Sequence, residues 1–354
     1  MPARLNGLVA DCDIAAMTGS LGDNIARFSA RLFSVAAERL PSQKISRDVA
    51  QPEADSEIQR ALRDAELIGE TRDGKKIYLF DYRLNSPVMR EIGRLREMTF
   101  RRVGEGTGMC RDLDIYDTYY QHLILWDDHD LQIAGAYRIA NTASIVATRG
   151  IAGLYSNSLF SLADSLVMRG ERSQTLELGR SFVQPRYWGM RSLDYLWFGI
   201  GAYVKRHPNV RFLLGPVSIS NLYPRAAQSL LVYFYRHYFG NHTTLATARN
   251  PFVLSQQESA DAGRLFAGHD YEQDFRTLKS ALGQHAVTVP VLYKQYTETY
   301  EIGGVNFLDF NIDPHFSDCV DGLVLADLDK LKPAKRERYL GELRNPTVMH
   351  LKAA

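Results

Sequence analysis

Past residue 75 the chain passes between stretches with strand-like and helix-like spacing. A turn at Asp73-Gly74 leads into an apolar, strand-like stretch, KKIYLFDYRL. Val88, Ile92, Leu95 and Thr99 share one stripe and predict a helix from Pro87 to Arg102, with Arg90, Arg94 and Arg101 opposite that stripe. A glycine-rich loop follows over Val103 to Met109, and Asp114 to Leu125 reads as helical. Strands are expected near Leu131 to Ala140, Thr175 to Val183 and Arg211 to Ile219. Between and after them, helices are expected over Met190 to Arg206 and from Pro224 to Gly240. This order predicts an α/β protein, a mixed sheet with helices on its faces.

Residues up to about Pro87 differ from the rest. Polar stretches such as PSQKISRDVAQPEADSE separate two short helical patterns, which we read as an N-terminal arm, partly helical, over residues 1–75. A main domain over 76–345 and a tail over 346–354 follow.

The stretch LELGRSFV, Leu176 to Val183, carries the most informative chemistry. Strict alternation puts Leu176, Leu178, Arg180 and Phe182 on one face and Glu177, Gly179, Ser181 and Val183 on the other. An acid and a base thus interrupt an apolar strand. A bulge near Gly179 would turn Glu177 and Arg180 to one side and splay the strand from its neighbour. The strand then feeds QPRYWGMR and the helix beginning near Met190. A helix start presents unpaired N–H groups and the positive end of the macrodipole, so Arg186, Gly189 and Arg191 mark either a single-phosphate site or a solvated loop.

Composition narrows the function classes. With 45% hydrophobic and 23% charged residues among 354, the chain can bury a substantial core. A formal net charge of +1 argues against a dedicated nucleic-acid binder, which usually carries a strong basic excess. No run approaches the roughly 18 apolar residues of a spanning helix, so any membrane contact is expected to be peripheral. Cys12, Cys110 and Cys319 are widely spaced without a C-x-x-C pair, which indicates neither a disulfide framework nor a zinc site and fits a reducing cytoplasm. His237 with His242, and His122 with His129, lack the spacing of a helical zinc pair, and no metal is expected.

Several segments together resemble the acyl-carrier-protein-dependent branch of the GNAT acyltransferase fold. They include EIGRLREMTFRRVGEG (Glu91 to Gly106), DLDIYDTYYQHLIL (Asp112 to Leu125), GAYRI (Gly135 to Ile139) and LELGRSFVQPRYW (Leu176 to Trp188). RFLLGPVSI (Arg211 to Ile219) and the C-terminal stretch from Val289 to Leu328 complete the set. Within that branch the sequence is similar to the hemolysin-like N-acyltransferases that make lyso-ornithine lipid and related N-acyl amino acids, with acyl-homoserine-lactone synthases as more distant relatives. The resemblance implies a splayed central sheet and a C-terminal extension. It covers roughly residues 78 to 345; because some relatives are fused to a second acyltransferase, the arm reads as a remnant of such a neighbour.

Carried over residue by residue, the resemblance makes Glu177, Arg180 and Arg138 the catalytic group and Asp114, Asp117 and Phe100 the substrate-binding group. It implies an N-acyltransferase that moves a long-chain, or 3-hydroxylated, acyl group from acyl carrier protein to an amino acid such as ornithine. No cofactor is held; the phosphopantetheine-bearing carrier is a co-substrate. The chemistry asks for a proton acceptor for the amine and donors for the oxyanion. Glu177 is the candidate acceptor, or else half of a buried Glu–Arg pair that only stabilises the sheet. Backbone N–H groups near Phe182 and Val183 would meet the thioester and the pantetheine arm. Asp114 and Asp117 would bind a substrate ammonium, or else cap and charge a helix start. Arg90, Arg94 and Arg101, and a second basic run from Lys330 to Arg338, would dock the acidic carrier or anionic lipid, or else simply solubilise the surface. A lactone synthase using S-adenosylmethionine is the alternative enzyme; the tryptophan that family keeps after Phe100 is absent, and Gly-Glu-Gly-Thr-Gly stands there. A non-catalytic lipid- or carrier-binding module is the third reading.

Overall fold

The computed structural model describes residues 47–240, 243–266, 268 and 270–341. Residues 1–46 of the expected arm and the expected tail, 346–354, lie outside the described residues. Numbering only helices of eight residues or more, the first half of the chain runs α1 (Asp55–Leu62), β1 (Glu66–Glu70), β2 (Lys76–Asp81), α2 (Pro87–Arg102), β3 (Gln121–Asp127), β4 (Gln132–Asn141), α3 (Thr142–Arg149), β5 (Phe160–Leu162) and β6 (Gln174–Val183). The second half runs α4 (Ser192–Arg206), β7 (Val210–Ile219), α5 (Arg225–Phe239), β8 (Ala246–Ala248), α6 (Gln256–Leu265), α7 (Tyr271–Gln284), α8 (Val291–Thr299), β9 (Val305–Asp313), β10 (Cys319–Asp327) and α9 (Pro333–Leu340).

Helix α2 forms where its stripe predicts. Ser86 caps it by accepting a hydrogen bond from the Met89 N–H, and Pro87 presets the first turn. Its buried Val88, Ile92 and Leu95 join Ile58 and Leu62 of α1 and Phe80, Trp126 and Phe182 of the sheet in one core layer. The opposite face of the sheet carries the larger layer, with Leu196 and Ile200 of α4, Leu231 and Phe234 of α5, Leu278 of α7 and Tyr293 of α8. Each such apolar side chain contributes about 1.5–3 kcal/mol when buried.

The main sheet has the order β1-β2-β3-β4-β6-β7-β10-β9, and β5 pairs separately with β8. Neighbours are antiparallel throughout except β6 and β7, which are parallel. Two expectations are corrected here. Residues placed in the arm by their polarity form α1 and the edge strand β1, and Arg47 and Ala50 N–H groups bond to the Gly108 and Cys110 carbonyls; the sheet therefore takes in residues well before 76. The expected helix from Asp114 to Leu125 is one 3-10 turn, Ile115–Thr118, followed by β3. Strand β3 lies between β2 and β4 and is buried almost along its length, so its run of apolar residues lacks the alternation that marks a half-buried strand.

The feature that creates a site is the gap between β6 and β7. On the β4 side, Arg138 pairs with Gly179 and Ala136 with Phe182, so β6 carries one extra residue between them. The bulge lies at Arg180, whose φ of 48° is left-handed, one residue beyond the Gly179 the sequence singled out. On the other side, the parallel ladder of β6 with β7 ends at Glu177 and Leu214. Gly215 permits a last close approach, since a Cβ there would stand 2.1 Å from the Leu178 carbonyl oxygen. Beyond it the strands part, while β7 remains paired with β10 up to Ile219.

Candidate active site

A cavity of about 790 Å³ occupies this gap. Its walls come from both core layers. Tyr137, Leu178, Leu193, Val217 and Tyr296 line an apolar lobe on the α4 face, and Phe100, Phe182 and Phe316 lie on the α2 face. The second lobe also receives Glu105, Arg180, Ser218 and Asp321. Trp188, Met190, Leu222 and Val291 line the cavity and are exposed, forming an apolar rim at its mouth. Trp188 to Met190 also bring the start of α4 to one end of the cavity.

The residues that the sequence singled out divide into two sets. Phe100, Arg180, Phe182, Val183 and Gly189 line the cavity. Phe100 stands edge-on to Phe316, with ring centroids 5.0 Å apart, and Gly189 takes a φ of 76°, which suits glycine. Arg180 donates to the Tyr155 hydroxyl at 2.8 Å, has Nε 3.2 Å from Asp112, and lies 4.8 Å from each of the Tyr155 and Phe316 ring centres. Its positive charge is thereby fixed at the cavity wall.

Glu177, Arg138, Asp114 and Asp117 are brought together behind that wall and do not line the cavity. Glu177 is buried; one carboxylate oxygen accepts from the Ser156 N–H at 2.6 Å and the other from the Tyr120 hydroxyl. Each of its oxygens thus accepts a hydrogen bond from a group that is not part of the cavity lining. Arg138 is also buried; it donates to Asp114 at 2.5 Å, stands 3.2 Å from Asp117, and is surrounded by the rings of Tyr116, Tyr120 and Tyr155. Asp114 caps the 3-10 turn and Asp117 completes a reciprocal capping box. The two acids therefore cap the turn and pair with arginines, and neither lines the cavity. We expect Glu177→Gln to lower stability by about 1.5–3 kcal/mol and to leave turnover within a few-fold of the parent. Chemical denaturation alongside an activity assay checks this, and a large loss of turnover at unchanged stability would return Glu177 to the reaction.

The remaining cations are tied to acids or carbonyls. Arg186 pairs with Asp130 and Arg191 with Asp194, and neither lines the cavity. Arg90 pairs with Glu53, Arg94 with Glu91, and Arg101 with Glu97. Arg101 also donates to the Arg47 and Met109 carbonyls. These arginines act first as tethers within the fold, which removes the free basic face that the sequence suggests. In the second basic run, Arg338 pairs with Asp194 and helps hold α9 on α4.

Glu97, buried on α2, accepts from the Thr107 and Gly108 N–H groups and the Thr107 hydroxyl, and so pins the glycine-rich loop. Within that loop Gly104, Gly106 and Gly108 have positive φ, and the loop places Glu105 in the cavity wall. Asp321, on β10, is buried and accepts from the Ser218 hydroxyl at 2.7 Å. Burial, aided by the negative charge of Asp313, pushes its carboxyl up to about 7. Burial, then the charge of Asp321, pushes Glu105 up to about 8. Sequence reasoning passes over both. Asp321 carries the same signal as Glu177, an acid inside an apolar strand, here CVDGLVLAD.

Residues 95–198 match the acetyltransferase (GNAT) domain family. The chain carries a GNAT acetyltransferase domain. The matched segment ends within α4 and includes β4, β6 and the bulge, and thus one wall of the gap. The chain is also 29% identical over 300 residues to a glycine N(alpha)-acyltransferase of Bacteroides thetaiotaomicron, covering 80% of this chain and 88% of that one. A glycine N(alpha)-acyltransferase of Phocaeicola vulgatus is 27% identical, with coverage of 78% and 87%. An L-ornithine N(alpha)-acyltransferase of Agrobacterium fabrum is 33% identical over a shorter match, 40% of this chain and 48% of that one.

Among the described residues no cluster of three or more His, Cys, Asp or Glu side chains could hold a metal, and no helix is long and apolar enough to cross a membrane. Cys319 is free and buried.

Proposed function

We propose that the protein transfers a fatty acyl group from a thioester to the α-amine of a small amino acid, glycine first and ornithine second. The observation that carries this reading is the cavity through the sheet, with an apolar lobe on one face and a charged lobe on the other. An acyl chain fits among Tyr137, Leu178, Leu193 and Tyr296; an amino acid, with a carboxylate and an amine, fits beside Arg180 and the two acids. Two relatives matched over most of their length are named for glycine, which places it first. The acyl group we expect is long, with or without a 3-hydroxyl.

The donor in this proposal is acyl carrier protein, whose phosphopantetheine arm would enter at the apolar rim and leave its phosphate near the start of α4. Amine attack on the thioester carbonyl builds negative charge on oxygen. The parting of β6 from β7 frees strand N–H groups near Phe182 and Val183 to meet it, and one such donor typically contributes about 2.7–4 kcal/mol.

Purified protein incubated with long-chain acyl carrier protein and either glycine or ornithine should yield the N-acyl amino acid by mass spectrometry. Acyl-coenzyme A in place of the carrier should react more slowly. Absence of an amide product with every amino acid and donor tried would refute the reading.

A further inference from the structure

Three charged or titratable side chains, Glu105, Arg180 and Asp321, line the cavity. Asp321 projects from β10 directly across from Ser218 of β7, its register partner. Glu105 reaches the same lobe from the glycine-rich loop, and Arg180 from the bulge. The cavity occupies the gap between β6 and β7, and β7 contributes Ser218 to its lining.

Resting on the N-acyl transfer reading, we propose that Asp321 is the proton acceptor of the reaction, oriented by Ser218, with Glu105 as the second carboxyl of a pair that shares one negative charge. Glu177, both of whose oxygens are occupied outside the cavity, is a positioning residue that holds Tyr120 and the Tyr155–Ser156 backbone. The amino acid arrives as an ammonium. It gives one proton to the Asp321 carboxylate, and the freed nitrogen lone pair attacks the thioester carbonyl carbon. The C–N bond forms and the carbonyl oxygen takes the negative charge. Collapse of this intermediate restores the carbonyl and breaks the C–S bond. The departing sulfur takes the second nitrogen proton and leaves as a thiol, while the Asp321 proton passes to solvent.

The surroundings of Asp321 set when it can act. Its titratable and charged neighbours are Glu105 on the loop, Arg180 on β6, Asp313 on β9, Cys319 on its own strand, and the phenols of Tyr155 and of Tyr293 on α8. Burial pushes the thiol and both phenols well up, so they stay neutral near pH 7. Burial and Asp313 raise the Asp321 carboxyl, whereas Ser218 and Arg180 lower it, and the balance lies near 7. A general base is most effective when it titrates close to the working pH. Burial, then the charge of Asp321, raises Glu105 as well, as expected for two carboxyls on one cavity wall.

The test is the pH dependence of kcat/KM for the amino acid, measured on the full chain with a saturating acyl thioester. The parent should show an acid limb near pH 7. Asp321→Asn should lower turnover by about 10²- to 10⁴-fold, abolish that limb and leave the KM for the acyl thioester unchanged. Ser218→Ala removes a hydrogen bond that favours the carboxylate, so the limb should move up by roughly 0.4 to 1 unit. Should Asp321→Asn fail to fold, the direction of the Ser218→Ala shift decides. Turnover within a few-fold of the parent in Asp321→Asn, or an unmoved limb in Ser218→Ala, overturns the assignment while leaving the acyl-transfer reading intact. A parent that makes no amide fails that reading, and the assignment falls with it.

Discussion

Replacing Arg96 with methionine is expected to destabilise the fold by about 3–5 kcal/mol, the largest stability effect of any single substitution around the site. Arg96 and Asp117 are both wholly buried, with Nη1 2.8 Å from the carboxylate, and Arg138 stands 3.2 Å from the same oxygen. Burial alone would raise the Asp117 carboxyl, but the charges of Arg96 and Arg138 prevail and hold it well below the usual carboxylate range. Methionine fills much of the volume and leaves Asp117 with half its compensation. Arg96 also lies 3.4 Å from Nδ1 of His122 and donates to it; the ring proton is then on Nε2, which donates to the Asp117 carbonyl. Burial lowers the His122 pKa to about 4. The unfolded chain takes up this proton near pH 6.5 and the folded chain does not, so His122 stabilises the fold fully above that pH, and the contribution is lost as pH falls towards 4. Asp117 adds a second loss only below the unfolded carboxylate value of about 3.9. Urea denaturation of the parent from pH 7.5 to 4.5 should show the first loss, and Arg96→Met at pH 7 should show the full deficit. A deficit under about 1 kcal/mol would mean that Arg138 alone satisfies Asp117.

What was legible depended on whether local pattern or distant partners decide each element. Helix α2 and strands β4, β6 and β7 follow from spacing, because each buries one continuous face. The bulge was legible as a requirement: Glu177 and Arg180 could not serve one cluster from a regular strand, and both do reach Tyr155 or its neighbours. Its position was not, since Gly179 invites the assignment, whereas the left-handed residue is Arg180, held by Tyr155, Asp112 and Phe316 from three separate segments. Strand β3 was missed because a strand buried on both faces has no period. The placement of Glu105 in the cavity wall is invisible locally, for three left-handed glycines permit many loops, and Glu97 from α2 pins this one. The arginine face of α2 misled for a related reason. Glu53, which neutralises Arg90 and also pairs with Arg111, comes from a segment that reads as a polar arm.

Arg180 combines a left-handed backbone with a guanidinium in the cavity wall, and two substitutions separate the two. A non-glycine residue at a φ of 48° costs about 1–2 kcal/mol relative to extended or helical backbone. Arg180→Gly relieves that cost and keeps the bulge, while Arg180→Ala retains the strain; both remove the guanidinium. We expect Arg180→Gly to be the more stable of the two by about 1 kcal/mol, as measured by thermal or urea unfolding. Both should fall below the parent, because Asp112 is buried beside the lost cation, and burial already raises its carboxyl. In activity the two should agree. If Arg180 grips the amino-acid carboxylate, its loss costs about 2–5 kcal/mol, or roughly thirtyfold to a few thousandfold in kcat/KM for the amino acid, with the KM for the acyl thioester held. Its loss also removes the charge that lowers Asp321 and Glu105, so any residual activity should appear only at higher pH. Equal activity losses with unequal stabilities would show that the bulge positions the side chain and the side chain binds the substrate. An unchanged amino-acid KM in both variants would instead make Arg180 a scaffold for Asp112 and Tyr155, and the carboxylate would have to be recognised by the backbone of the gap.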